Sequence, residues 1–508
     1  MSANLTKIIR THSSFWFLFA VLLFVNIYSL STLTTKPAYW YDEAINVELA
    51  RNFSDFGKLD LVVAPNTFSE QGATVGSTGF PVTVPLAGFF KLFGFGLTEA
   101  RAYMLIWMSA LIIVFFFIAR ELWGPFASYG GTLLLATFAP FYGNGRSVMG
   151  EIPGFLFFLC AYYLFERKKW LWAGFLLGLA VVSKPSVYLF LIPAFALVVL
   201  LQSDLWKRKL VNLIAVGFGA VLALVPWFAI YASEVSRGGL AQNILNHFKN
   251  PYAEAGVSAL TNIHTNLPTL LTSTTLLYMW VLLFGVIIAL CIERGLLREH
   301  KNILILSLVY IPLSLVQYLK SFGYLRYLIA TEFLIFLLFL LALPALARFA
   351  ANLFGLPRLP AQAGESGDPA GDVKRKNWIP VFTGMTVAIL VLMQTVHLFA
   401  FSDLYASEKT QKTILYLYTN YPTGTIGVVN VPQIASFIPS FQKYQSLSTY
   451  GLWNFGPRIL YLSGDKLPST LVTESGETGF SAEEKEILNA RYTRDSAFTE
   501  GFSIYTRK

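Results

Sequence analysis

The chain has 508 residues, of which 55% are hydrophobic and only 13% are charged. An average soluble domain carries about 25% charged residues, and the apolar residues here form blocks of about 20 residues, the length that crosses a bilayer. The composition therefore excludes a purely soluble protein. The net charge of +9 does not indicate nucleic-acid binding, because the basic residues form short clusters between apolar blocks. Cys160 and Cys291 both fall inside apolar blocks, which indicates neither a disulfide framework nor a thiolate metal site.

The first apolar block runs from residue 13 to residue 33 and follows Lys7 and Arg10. It is longer than a signal-peptide core and has no convincing small-residue cleavage site, so we expect a retained signal anchor. A shorter apolar segment, 80–95, contains two prolines and Lys91. Further candidate spans occupy residues 101–120, 126–143, 147–165, 170–183, 186–202, 210–231, 273–292, 302–319, 325–347 and 379–401.

The placement of segment 80–95 decides the topology of everything after it. If it lies along the membrane surface or re-enters the membrane, every dense basic cluster falls on the side of the N-terminus, as the positive-inside rule requires. If it crosses, all of those clusters move to the other side. The sequence therefore predicts 11 spans, a cytoplasmic N-terminus and an outer C-terminus. The signal-anchor start and a long linker at residues 355–377 fit the inner membrane of a bacterium, where the outer face is periplasmic.

Two stretches of the chain differ from the apolar blocks. Residues 355–377 are rich in proline, glycine and charge, which predicts a flexible cytoplasmic linker. After the last span, residues 426–429, 459–462 and 502–505 have the pattern of strands, and Ser481 precedes a helix start with Glu484 three residues later. We expect a polytopic α-helical membrane protein with a transmembrane domain at 1–402 and a small extracytoplasmic α/β domain at 403–508.

Asp42 and Glu43 are adjacent carboxylates in the outer loop 35–79, a few residues beyond the first span. Charged groups this close to lipid are costly, so the pair indicates a functional site. The alternative is structural, with Asp42 capping the start of a helix and Glu43 interacting with the positive end of the helix dipole. The two roles are compatible.

The predicted topology places further isolated polar residues on the same face as Asp42. Arg146 and Glu151 are five residues apart, so an ion pair on one helix face is not the obvious explanation for them. At bilayer depth a lysine costs about 2.5–3.5 kcal/mol, and each cation could instead be an interfacial anchor. The candidates are Arg146, Glu151, Lys184, Lys320, Tyr324 and Arg326.

The order of several features along residues 1–200 carries more information than any one of them. The first span is followed by an Asp-Glu helix start, YDEAINVELARNF, and by a proline-bearing segment that ends in Phe-Gly, FPVTVPLAGFFKLFG. Glu99-Ala100-Arg101, Ala119–Gly124, Ala139–Tyr142, Arg146, Glu151-Ile152-Pro153 and Ser183-Lys184-Pro185 come next. This order resembles the membrane glycosyltransferases of the GT-C fold, in the family 39-like branch that holds protein O-mannosyltransferases and the lipid A aminoarabinose transferase.

The resemblance implies an inverting transfer of a sugar from a polyprenyl-phosphate donor to a glycan, lipid or protein acceptor on the outer face of the membrane. Asp42 matches the family's catalytic acidic residue and is our candidate general base, with Glu43 in support. Arg146 and Glu151 match residues of the second outer loop that help to build the site. The candidates for substrate binding, mainly to the lipid phosphate, are Lys184, Lys320, Tyr324 and Arg326.

One departure from the family pattern concerns the donor phosphate. Relatives usually carry a charged residue or histidine just before the first proline of the interfacial segment, whereas this chain has Gly79-Phe80-Pro81. Any phosphate or metal role of that position is therefore in question here. Some relatives use a divalent metal, so a metal cofactor stays possible. However, His247 and His264, in the loop 232–272, do not have the spacing of metal ligands.

Two other classes of protein stay open. A secondary transporter or lipid flippase would show internal repeats and polar groups near the membrane midplane. Here the polar groups gather at one rim, and the sequence shows no convincing repeat. The third alternative is a non-catalytic membrane scaffold or polymerase partner whose outer C-terminal domain binds cell-envelope glycans.

Overall fold

The computed structural model describes residues 2–76, 78–232, 259–321, 323–353, 378–404, 406–449, 453–455, 467–474, 480, 482–499 and 501–508. The expected linker 355–377, the strand expected at 459–462, His247 and Ser481 lie outside the described residues.

The N-terminal part begins with a long helix and continues with a small segment of short elements and a series of apolar helices. Its helices are α1 (Ser2–Leu30), α2 (Tyr41–Phe56), α3 (Gly72–Val75), α4 (Phe80–Phe93), α5 (Leu97–Leu122), α6 (Gly124–Thr137), α7 (Ala139–Gly145), α8 (Glu151–Glu166), α9 (Trp170–Ser183), α10 (Pro185–Tyr188), α11 (Leu191–Leu200), α12 (Trp206–Leu222) and α13 (Val225–Ile230). The strands β1 (Val62–Ala64) and β2 (Thr67–Phe68) form an antiparallel pair between α2 and α3.

The second half holds further apolar helices and then the C-terminal sheet. Its helices are α14 (Ala259–Thr272), α15 (Thr274–Ile292), α16 (Gly295–Glu299), α17 (Lys301–Lys320), a 3₁₀ turn (Leu325–Leu328), α18 (Ile329–Leu353), α19 (Trp378–Leu404), α20 (Lys409–Asn420), α21 (Pro432–Ala435) and α22 (Ala482–Arg491). Its strands are β3 (Ile426–Val429), β4 (Lys443–Thr449), β5 (Trp453–Phe455), β6 (Thr470–Glu474), β7 (Tyr492–Arg494) and β8 (Phe502–Arg507).

The apolar blocks of the sequence correspond to helices of the structure. Seven helices within the described residues are long and apolar enough to cross a membrane, and Phe80–Phe93, Trp170–Ser183 and Pro185–Leu200 are shorter apolar helices. Three of the predicted spans are divided in two, and the second helix of each (α7, α11 and α13) has a proline in its first turn. Proline lacks the N–H that a continuing helix needs, so it favours a new start at these points.

The core of the membrane part lies around α18. Of its most apolar window, 89% is buried inside the protein, and Phe333 on α18 contacts the rings of Phe138, Phe141 and Phe155. Aromatic pairs of this kind add to the packing that holds helices together in lipid, where the hydrophobic effect gives little help. The helices that carry the outer polar residues are therefore attached to a rigid framework.

Helix α4 covers most of the predicted interfacial segment 80–95. Its 14 residues extend about 21 Å, which is short of the ~30 Å of a bilayer core. One face is buried against α2 and α5, whereas Leu92 and Phe93 at its end are exposed. This length is consistent with the predicted position along the surface.

The C-terminal residues form a mixed sheet with the strand order β5-β4-β3-β6-β8-β7. The central strand β3 is parallel to β4 and to β6, and the outer pairs are antiparallel. Strands at 426–429 and 502–505 confirm two of the sequence predictions, and the α/β character of the C-terminal part is confirmed with them. The sheet and α21 contact α2 and β1, so α2 lies between the membrane part and the C-terminal domain.

Candidate active site

Asp42 and Glu43 lie in the first turn of α2, next to the positive end of the helix dipole. The N-cap of this helix is Trp40, with extended backbone and without a side-chain capping bond. The alternative in which the Asp42 carboxylate caps the helix is therefore wrong. Instead the two carboxylates point to different arginines, each brought in by another part of the chain.

Asp42 belongs to a cluster of four charged side chains that are remote in sequence. Arg326, 284 residues away, donates from Nη2 to Oδ2 of Asp42 at 2.5 Å. The Nε atom of Arg326 lies 3.9 Å from Oε1 of Glu151, and Nζ of Lys184 lies 4.0 Å from the same oxygen. Four of the residues that the sequence singled out thus lie within one network of alternating charge.

Glu151 and Lys184 are held together by close contact between two backbone segments. A Cβ atom on Gly150 would lie only 1.8 Å from the carbonyl oxygen of Ser183, so no residue larger than glycine fits there. The N–H of Gly79 donates to the same carbonyl at 3.3 Å. Ser183, the residue before Lys184, therefore contacts the start of α8 and the start of α4 from its position at the end of α9.

Aromatic rings surround the guanidinium group of Arg326. Its Cζ atom lies 4.1 Å from the ring centroid of Trp40, 4.8 Å from that of Tyr324 and 5.4 Å from that of Tyr327. Stacking on these faces orients the planar group while leaving its edges for hydrogen bonds. Tyr324, which the sequence predicted to bind substrate, thus contacts the cation of the site.

Several polar atoms of this network are buried and have no hydrogen-bond partner. They are both carboxylate oxygens of Glu151 and the Nε and Nη1 atoms of Arg326. Leaving such atoms unsatisfied costs about 1–3 kcal/mol each, and more for charged groups, so they are available to a bound substrate. Asp42 keeps 22% of its side-chain surface exposed and Glu151 keeps none. Asp42 therefore lies at the mouth of the cluster and Glu151 on its floor.

Glu43 has a different environment from Asp42. Arg101 on α5 donates to both of its oxygens, at 2.8 and 2.7 Å, and both side chains are fully buried. The remaining Nη1 atom of Arg101 donates to the carbonyls of Leu33 and Pro37. This ion pair fixes α2 to α5. Arg101 belongs to the Glu99-Ala100-Arg101 motif, and no local pattern in the sequence indicates its pairing with Glu43.

Arg146 and Lys320 are not part of the Asp42 network in the contacts that the described residues make. Arg146 donates to Thr32 at 2.6 Å and to the carbonyl of Tyr142 at 3.3 Å, so it joins α7 to the end of α1. Lys320 ends α17 with an exposed side chain, and its carbonyl accepts a hydrogen bond from Asn262. Neither contact reaches Glu151.

The charged cluster does not have the form of a metal site. Within the described part of the chain, no three or more His, Cys, Asp or Glu side chains converge as metal ligands. Asp42 and Glu151 share the guanidinium of Arg326 and do not converge on a common point. His264 is an exposed residue of α14. Among the described residues, this cluster therefore offers a divalent cation no converging set of ligands.

Comparison with known proteins agrees with this architecture. The family model described as dolichyl-phosphate-mannose-protein mannosyltransferase matches residues 82–231. The crystal structure of ArnT from Cupriavidus metallidurans bound to undecaprenyl phosphate superposes with a TM-score of 0.63 at 13% identity, over 97% of this chain and 98% of that one. Its apo structure gives 0.62 at 14% identity, over 98% of both chains. No curated protein matches the chain by sequence. The chain is therefore an integral membrane protein with the GT-C glycosyltransferase fold.

Proposed function

We propose that the protein is an inverting glycosyltransferase that moves a sugar from a polyprenyl-phosphate donor to an acceptor hydroxyl on the periplasmic face of the membrane. The observation that carries this proposal is the cluster of Asp42, Arg326, Glu151 and Lys184, in which a partly exposed carboxylate lies beside two buried cations. The matching family model and the undecaprenyl phosphate bound to the similar ArnT structure support the donor class.

Arg326 and Lys184 are assigned to the donor phosphate. Asp42 uses only Nη2 of Arg326, so Nε and Nη1 can bind phosphate oxygens while the Asp42 contact persists. Lys184 adds a compact positive charge, and its Nζ atom lies 4.0 Å from Oε1 of Glu151, the carboxylate oxygen that Arg326 also faces. Fixed cations stabilise the negative charge that develops on the phosphate as the sugar leaves.

Lys184 lies close to the start of α4, where this chain lacks the charged residue or histidine that relatives usually carry. The backbone bond from Gly79 to Ser183 places the start of α4 against the residue before Lys184. Relatives usually carry a charged residue or histidine just before Pro81, where this chain has Phe80. We infer that Lys184 supplies a cation to the phosphate from a position beside the one that this residue occupies in relatives.

Asp42 is assigned as the general base. Its Oδ2 atom is held by Arg326, which leaves Oδ1 to accept a hydrogen bond from the acceptor hydroxyl. The acceptor oxygen attacks the anomeric carbon, its proton passes to Asp42, and the bond to the phosphate oxygen breaks with its electron pair on the phosphate. A single displacement inverts the anomeric configuration. The double displacement used by retaining enzymes would need a carboxylate nucleophile at the anomeric carbon.

A sugar-transfer assay with purified protein in liposomes tests the proposal. With a polyprenyl-phosphate sugar present, we expect free polyprenyl phosphate and glycosylated acceptor to appear in equal amounts. Asp42→Asn should slow the formation of both products at least 100-fold, whereas Asp204→Asn, an equivalent change outside the cluster, should not alter the rate. Sugar or lipid movement across the bilayer without any glycosylated product would show a transporter or flippase instead.

A further inference from the structure

Helix α2 is buried along most of its length, although it is rich in polar residues. Its polar side chains are directed to two different partners. Glu43 and Asn46 bind the membrane part, through Arg101 and through Thr78 and the carbonyl of Val148. Glu48 and Arg51, further along the helix, bind the C-terminal domain. The helix that carries the candidate base is thus held from both sides.

The contact on the second side is centred on a fully buried ion pair. Lys443 on β4 donates from Nζ to Oε1 of Glu48 at 2.6 Å, and the two side chains are 2% and 0% exposed. Lys443 also donates to the carbonyl of Ala435 at 3.2 Å. Burial lowers the pKa of Lys443, and the charge of Glu48 acts in the opposite direction. Such a pair is stable only when its remaining hydrogen bonds are made.

Those remaining bonds are present on the carboxylate of Glu48. The N–H of Val62, the first residue of β1, donates to Oε1 of Glu48 at 3.2 Å. The amide of Gln445, in the orientation that satisfies both of its ends, donates to the two carboxylate oxygens at 3.1 and 3.0 Å and to the carbonyl of Val62 at 3.1 Å. The network joins α2, the outer loop and β4.

Contacts around the ion pair fix the same arrangement. Arg51 donates to the carbonyls of Ser436 and Ile438, at 2.9 and 3.2 Å. The hydroxyl of Tyr39, just before α2, bonds with that of Ser436 at 3.0 Å. Leu447 of β4 packs with Ile45 and Leu49 of α2. A C-terminal domain that only bound glycans at a distance would not need this set of buried polar contacts.

We propose that Glu48 and Lys443 are positioning residues for the sugar-transfer reaction, through which the C-terminal domain holds α2 and thereby Asp42 in register with Arg326. Glu48 is six residues from Asp42, about 9 Å along a rigid helix, so a shift at Glu48 moves the base. Displacements on this scale matter because misplacement by about 1 Å can cost 100-fold in rate. The inference rests on the proposed function, and it adds the C-terminal domain to the catalytic unit.

Kinetics of Lys443→Met test this role. The variant leaves the charge of Glu48 buried without its partner, so α2 should shift while Lys184 and Arg326 stay in place. We calculate kcat from the concentration of protein that binds donor, so that unfolded protein does not contribute. We expect this kcat to fall at least tenfold, with the KM for the donor within threefold of wild type. The double variant Glu48→Gln with Lys443→Met removes the stranded charge but not the need for the contact, so it should recover part of that loss and keep a kcat below that of wild type. Lys508→Met, an exposed lysine of the same domain, serves as the control.

The outcomes separate positioning from mere stability. If Lys443→Met has the wild-type kcat when the rate is divided by the concentration of donor-binding protein, the inference is overturned. If Lys443→Met does not accumulate, the double variant decides, and the inference then requires a reduced kcat with an unchanged donor KM. A wild-type protein that transfers no sugar would instead contradict the proposed function itself.

Discussion

At the scale of single residues, the candidate site depends on pairings that no local pattern shows. Asp42, Glu151, Lys184 and Arg326 could each be selected from the sequence, because a charged residue at the edge of an apolar block is costly. Their mutual contacts could not be selected, since they join residues between 33 and 284 positions apart in the sequence. The same limit applies to Glu43. The sequence predicted that it supports Asp42, whereas in the structure its carboxylate pairs with Arg101.

Replacement of Lys184 by methionine should weaken donor binding. The substitution keeps a long apolar chain but removes a charge that we assign to the phosphate, and a hydrogen bond to a charged group is worth about 1.5–3 kcal/mol. We therefore expect the KM for the polyprenyl-phosphate sugar to rise at least tenfold, with a smaller change in kcat. Lys91→Met, an exposed lysine at the end of α4, is the matched control. An unchanged donor KM in Lys184→Met would remove Lys184 from the phosphate site.

At the scale of elements, most helices could be predicted from sequence and their interactions could not. Apolar blocks locate the helices to within a few residues, because lipid requires a continuous apolar stretch whose backbone is satisfied internally. Turn residues and β-branched runs located two strands of the C-terminal sheet. By contrast, Glu48 and Lys443 look like ordinary surface charges in the sequence, since nothing local indicates that a sheet covers α2.

The ion pair between α2 and α5 makes a prediction about stability. Arg101→Met leaves the buried carboxylate of Glu43 without its partner, and breaking a buried pair in this way costs about 3–5 kcal/mol. We expect a clearly lower midpoint of thermal unfolding in detergent. The double change Arg101→Met with Glu43→Gln should restore much of it, because no isolated charge stays buried. A midpoint for Arg101→Met equal to that of wild type would show that the pair does not hold α2.

At the scale of the whole molecule, the fold places the proposed chemistry and the C-terminal domain together. Sheet residues contact α2 directly, so the domain lies on the membrane face where Asp42 lies. The sequence reached the same conclusion from charge alone, since its basic clusters all fall on one side when segment 80–95 stays at the surface. The number of crossings and the orientation in the membrane stay predictions.

Topology reporters test that orientation. A periplasm-active reporter fused after Lys508 should be active, and a cytoplasm-active one at the same position should be silent. A fusion within residues 355–377 should give the reverse pattern, because the predicted linker lies on the cytoplasmic side. An active cytoplasmic reporter after Lys508 would contradict the predicted topology and the periplasmic acceptor.

If Asp42 activates the acceptor for attack on a lipid-phosphate sugar, its loss slows the transfer step itself, and single-turnover kinetics measure that step. Protein saturated with labelled polyprenyl-phosphate sugar is mixed with acceptor, and the transfer rate constant is compared between wild type and Asp42→Asn, with donor binding measured separately. General base catalysis contributes about 10²–10⁴-fold. We therefore expect donor binding to change little, the wild-type product to be inverted at the anomeric carbon, and the variant to be slower by at least 100-fold. Transfer by Asp42→Asn at the wild-type rate would contradict the account.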